Sequence, residues 1–196
     1  IVWGAIYIAT IVLIVRRFAK TVFGREGYLT NTLPVSAHQL ILSKLLVAFI
    51  LDIISSLVIL LSIGIIAAFC LDMKDILLAT SYFGQILKEI GAFYLFIPST
   101  ILSMIAGILF YYLCISIGNL FNTNKVLMGF VAFFAIQAIL FFIGFFFGLG
   151  AALTGDATYT AINNSSYIIS LVQSLILIAA SYFGTYYIMT KRLNLD

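Results

Sequence analysis

The chain is predicted to be an all-α, polytopic helical membrane protein. Three observations carry that prediction: its composition, the length of its apolar runs, and the placement of its Lys and Arg residues. Of 196 residues, 64% are hydrophobic and only 9% are charged, and the mean hydropathy is +1.21. A soluble domain has roughly a quarter of its residues charged, so this chain lacks the polar groups to face water. Its apolar runs are continuous rather than alternating, which selects helices over a barrel, the two structures that lipid admits. Residues 1–196 read as a single transmembrane domain, with no Pro-, Gly- or Ser-rich linker and no repeat of 20–50 residues.

Five runs are read as membrane helices. Ile1–Val15 would span about 22 Å as a helix, short of the roughly 30 Å hydrocarbon core. Arg16 and Arg17 follow this run, whereas a signal peptide places its basic residues first. It is therefore read as the tail of a span that begins upstream, with an earlier span before it. Leu45–Leu71, Phe93–Gly118, Val126–Leu153 and Tyr167–Met189 are each long enough to cross. Pro98 suits a fresh helix start better than a helix interior, because it has no N–H to give.

Orientation follows the Lys/Arg bias. One set of loops holds Arg16, Arg17, Lys20, Arg25, Lys44, Lys125, Lys191 and Arg192, and the other only Lys74 and Lys88. That puts residues 16–44, the turn at 119–125 and the C-terminus in the cytoplasm. On the outer side, Ile76, Ala79, Phe83, Ile86, Leu87, Ile90 and Phe93 recur at helical spacing. The 72–92 segment is read as an outer interfacial helix or as an extension of the following span.

Few residues offer chemistry. The charge of +3 is spread over loop ends, so nucleic-acid binding has no footprint. No phosphate loop, paired-glutamate motif, Gly-x-Ser-x-Gly or His-Glu-x-x-His occurs, so no catalytic residue, metal site or cofactor is assigned. His38 stands alone beside Gln39, as a solvated or capping residue. Cys70 and Cys114 fall near opposite faces and are read as small buried hydrophobes. Asp52 is the acid within a span, about 12 Å along the helix from Lys44. A charge there points to function unless it is paired, and Arg16 and Arg17 are the candidate partners; a proton or substrate role is the alternative. Gly144-x-x-x-Gly148 suits close helix packing, within the subunit first and against a second subunit otherwise. The five phenylalanines among residues 141–147 face the acyl chains or an apolar cargo.

The strongest pattern is the polar break between the first two runs. Ser36-Ala37-His38-Gln39 fits a capping box, with Ser36 as N-cap and Gln39 reaching back. Pro34 stops any earlier helix from running through. Gly24 and Gly27 bracket a turn that exposes Tyr28, Leu29 and Leu33 beside Arg25 and Glu26. Apolar side chains on a basic loop need a burial site, either lipid headgroups or a groove on a soluble partner.

Gly24–Ser36, followed by Leu42-Ser43-Lys44-Leu45-Leu46, resembles permease subunits of bacterial ATP-binding-cassette exporters of the ABC-2 type. Two later stretches, Tyr112–Lys125 and Thr190–Leu195, are similar to the same group, so the resemblance runs in order along nearly the whole chain. It implies a six-span permease in the bacterial cytoplasmic membrane, of which five spans are visible. It also implies that the chain pairs with a second permease copy or homologue and with a separate ATPase that holds the ATP. The coupling segment would map onto residues 18–36, with Arg25, Glu26, Tyr28, Leu29 and Leu33 facing the ATPase. An ion-coupled secondary transporter or a non-transporting scaffold is the alternative. Asp52 and Gln137 are its intramembrane polar candidates.

Overall fold

The computed structural model describes residues 2–23, 36–70, 72, 74, 77–78, 80–82, 84, 93–121, 124–153 and 164–191. It is all-helical over them, with five long helices: α1 (Val2–Val22), α2 (Ala37–Cys70), α3 (Phe93–Gly118), α4 (Lys125–Leu153) and α5 (Asn164–Lys191). Helices α2 to α5 are each long and apolar enough to cross a membrane. Of the 72–92 segment, residues 74, 77–78, 80–82 and 84 are helical, and most of the remainder lies outside the described residues.

Local chemistry sets the helix ends. Helix α2 begins well before its apolar run because the capping box forms as the sequence predicts. The Gln39 N–H donates to Ser36 Oγ at 3.4 Å, and the Ser36 N–H donates to Gln39 Oε1 at 3.2 Å. Two donors at the helix start are thereby satisfied reciprocally. Ser36→Ala removes one of them and is expected to cost about 1 kcal/mol, read as a lowered unfolding midpoint in detergent.

Pro98 departs from its expected place. It lies inside α3, five residues after the helix start at Phe93, rather than opening a new helix. The carbonyl of Phe96 there accepts two hydroxyls, Ser99 Oγ at 2.8 Å and Thr100 Oγ1 at 2.9 Å. The carbonyl that Pro98 leaves without its helical donor is a different one, that of Tyr94 four residues earlier.

Helix α3 is the centre of the bundle and touches all four others, most extensively α5. Inside its span 44% of residues are buried, against 0% in the span of α4. Helix α4 packs on α3 and leaves Phe130, Phe134, Phe141, Phe142, Phe145 and Phe146 exposed. The α3–α4 turn is fastened by two glycines: a Cβ on Gly118 would sit 2.8 Å from the backbone nitrogen of Gly129. Asn124 takes a left-handed conformation, φ 57°, just before α4, one that Asn tolerates better than most residues. Small residues also line the α3–α5 seam. Ser103 and Ser174 hydroxyls meet at 3.1 Å, and Gly184 lies under Leu113. Such residues let helices approach where lipid gives no hydrophobic drive.

The buried core is concentrated at the basic end of the bundle. There Phe18 and Val22 of α1, Leu40 and Ile41 of α2, Leu109 and Tyr112 of α3, and Met189 of α5 pack together. Farther along, Thr10 Oγ1 and Ser55 Oγ join α1 to α2 at 2.8 Å.

Candidate functional site

Two features combine chemistry with position: a clamp at the basic end and a cleft at mid-depth.

The clamp grips both ends of the segment between α1 and α2. Phe18 stacks on Tyr112 with ring centroids 3.8 Å apart and planes 8° from parallel. The Tyr112 hydroxyl donates to the backbone carbonyl of Lys44 at 3.0 Å. One α3 side chain therefore holds the last turns of α1 and the second turn of α2. Arg17 and Lys44 line the small space beside it. On the other flank His38 hydrogen-bonds the Tyr182 hydroxyl through Nδ1. Its ring also stacks on Tyr186, 4.1 Å between centroids. His38 is exposed, in line with a solvated residue, and it also ties the start of α2 to the last turns of α5. Lys191 lies 5.5 Å from the centre of the Tyr187 ring, a favourable placement for a cation.

The sequence-assigned coupling residues Arg25, Glu26, Tyr28, Leu29 and Leu33 lie outside the described residues. Asp52 is half-buried, and among the described residues neither Arg16 nor Arg17 pairs with it. Tyr111 of α3 stacks on Phe133 of α4, with ring centroids 6.1 Å apart and planes 19° from parallel. Gly144 is on an exposed face of α4 with no atom within 4 Å of an added Cβ. The surroundings of Gly148 are outside the described residues. Cys114 is buried and free. Among the described residues no three His, Cys, Asp or Glu side chains gather into a metal-sized group.

The cleft opens between α3, α4 and α5 and has a volume of about 540 Å³. Its polar lining is Ser103 and Tyr111 from α3, Gln137 from α4, and Ser170, Gln173 and Ser174 from α5. Phe110, Phe133, Leu140 and Leu177 form apolar walls. Gln137 lies twelve residues into α4, about 18 Å from the basic end, and Gln173 about 27 Å from the end of α5. Both carboxamides are therefore near the middle of helices long enough to cross. The sequence had singled out Gln137 but not Gln173. The signal was present, since Gln173 interrupts the run Tyr167–Met189, but its lining the same cleft as Gln137 depends on α4 and α5 both packing on α3.

Compared with known proteins, the chain matches no protein-family model, no curated protein and no solved structure.

Proposed function

We propose that the chain is the membrane subunit of an ATP-driven exporter, forming half of a translocation pathway and energised by a separate ATPase. The single observation that carries this reading is the clamp. A polar segment bearing three apolar side chains, Tyr28, Leu29 and Leu33, has both of its flanking helices held to the central α3, and α2 also to α5. Force applied to such a segment is transmitted into the bundle rather than absorbed in a loose loop. The cleft at mid-depth supports transport over a purely structural role, and the ordered resemblance to ABC-2 permeases supports ATP as the energy source. On this reading α1 is the lower part of a fifth visible span, the basic end is cytoplasmic, and the membrane is the bacterial cytoplasmic one. A second permease copy or a homologue completes the pathway.

The test is a triple substitution of Tyr28, Leu29 and Leu33 to Ser. Each apolar side chain buried in a protein groove is worth roughly 1.5–3 kcal/mol, so the triple change costs the interface several kcal/mol. Co-purification of the ATPase with the permease is expected to be lost, while membrane insertion, set by the spans and the Lys/Arg bias, is kept. If the three side chains rest on lipid headgroups instead, the ATPase stays bound, and the coupling assignment fails.

A second reading, an ion-coupled transporter, draws on one observation: Asp52 is half-buried within α2, and among the described residues neither Arg16 nor Arg17 pairs with it. Transport driven by a pH gradient without ATPase, and abolished by Asp52→Asn, would select it.

A further inference from the structure

We infer that the α3–α4–α5 cleft binds an uncharged amphipathic molecule, one with an amide or hydroxyl head and a hydrocarbon body, reached sideways from the bilayer. This inference deepens the transport reading, on which it rests only in treating the bound molecule as cargo.

The starting point is an unmet demand. Gln137 and Gln173 are both exposed, and among the described residues neither carboxamide has a hydrogen-bond partner. A carboxamide in hydrocarbon without a partner is costly, and a mid-depth position offers no bulk water to supply one. Two such groups, brought to one cleft by different helices, call for an occupant that hydrogen-bonds with both.

Size and chemistry then select the occupant. A volume of about 540 Å³ falls within the roughly 300–1,000 Å³ typical of small-molecule sites. Each carboxamide both donates and accepts, as do the hydroxyls of Ser103, Ser170 and Ser174 and the Tyr111 phenol. Among the described residues, no Lys, Arg, His, Asp or Glu lines the cleft. A charged ligand would leave its solvation shell without a counter-charge, whereas an amide or hydroxyl head finds both donors and acceptors. Phe110, Phe133, Leu140 and Leu177 suit the hydrocarbon body. Gly107 also lines the cleft, and a Cβ there would meet no atom within 4 Å. A side chain at 107 would therefore fill ligand space without disturbing helix contacts.

The experiment uses the purified chain in liposomes, without ATPase, so loss of coupling to ATP leaves the readout intact. Three photoreactive diazirine probes of equal chain length are compared: an N-acyl serinol, a fatty acid and an alkyl trimethylammonium. The N-acyl serinol is expected to label peptides covering 103–111, 133–140 and 170–177, and unlabelled N-acyl serinol should compete it away. Gly107→Leu and the pair Gln137→Leu with Gln173→Leu should each weaken that saturable labelling by about tenfold or more, the scale of one or two lost hydrogen bonds. An unchanged unfolding midpoint for Gly107→Leu shows that the cleft, rather than the fold, was altered. Equal and unsaturable labelling by all three probes would mean that the cleft holds only bulk lipid or water and would overturn the assignment. So would unaltered labelling in Gly107→Leu, or a change in oligomer mass with it, which would assign the cleft to a second chain.

Discussion

Gly118→Ala is expected to unfasten α4 from the bundle. An added Cβ would lie 2.6 Å from the Lys125 carbonyl oxygen, 2.8 Å from the Gly129 nitrogen and 2.9 Å from its Cα. All three are backbone atoms, so no side chain can swing aside, and the two helices must separate where they meet most closely. Overpacking a tight contact costs about 1–3 kcal/mol, and a clash with backbone belongs at the upper end. The effect should fall on α4, because α3 is its main contact. Gly107→Ala is the control: nothing lies within 4 Å of its added Cβ. Ala is favoured over Gly in a helix by up to about 1 kcal/mol, so that variant should be neutral or slightly stabilised. The two are compared by unfolding midpoint in detergent and by limited proteolysis in the 119–124 turn. Equal midpoints would show that the α3–α4 contact gives way without cost.

That contact also shows where sequence reading reaches its limit. A small-residue pair four apart on one helix is visible in the sequence, which directs attention to Gly144 and Gly148. The close approach in the structure is instead between Gly118 and Gly129, eleven residues apart on two helices folded back on each other. No spacing rule within one helix finds such a pair. The helix boundaries were more legible, because they depend on local chemistry. Ser36 and Gln39 announce the start of α2, and the apolar run Phe93–Gly118 coincides with α3. Pro98 misled because its lack of an N–H weighs heavily in sequence, whereas five residues into α3 it deprives only one backbone carbonyl of its donor.

The cleft was legible in part for a related reason. A glutamine in an apolar run is conspicuous wherever it occurs, but its face is not. Helices α3 and α4 are apolar nearly all round, so periodicity does not say which side of Gln137 meets which neighbour. The convergence of Gln137 and Gln173 is a property of the packing of α4 and α5 on α3. Asp52 follows the same logic. The Lys/Arg bias suggested Arg16 or Arg17 as partner, yet among the described residues neither pairs with the acid, and Arg17 lines the small space beside Tyr112 and Lys44.

On the exporter reading proposed above, Phe18→Ala is expected to separate ATPase binding from ATPase-driven transport. Phe18 is 1% exposed and stacked on Tyr112, itself 1% exposed. Removing a buried aromatic ring costs about 3–5 kcal/mol in cores that do not collapse around the gap. Four of the helices are long and apolar enough to cross a membrane; where lipid gives no hydrophobic drive the loss is mainly of packing, and about 3 kcal/mol is the expected cost. Tyr112→Phe keeps the stack and removes only the bond to the Lys44 carbonyl, which as a helix-interior group keeps its intrahelical partner; about 1 kcal/mol is expected. Phe18→Ala and Tyr112→Ala combined should cost less than their sum, by about 0.5–1.5 kcal/mol, the usual coupling of an aromatic pair. Neither side chain belongs to the set of Tyr28, Leu29 and Leu33 proposed to contact the ATPase, so on that reading the ATPase should still co-purify with Phe18→Ala. Its hydrolysis should continue while transport falls, because α1 is no longer held to α3 where the segment begins. Transport at the wild-type rate from a Phe18→Ala complex with a lowered unfolding midpoint would show that the clamp stabilises the bundle but transmits nothing.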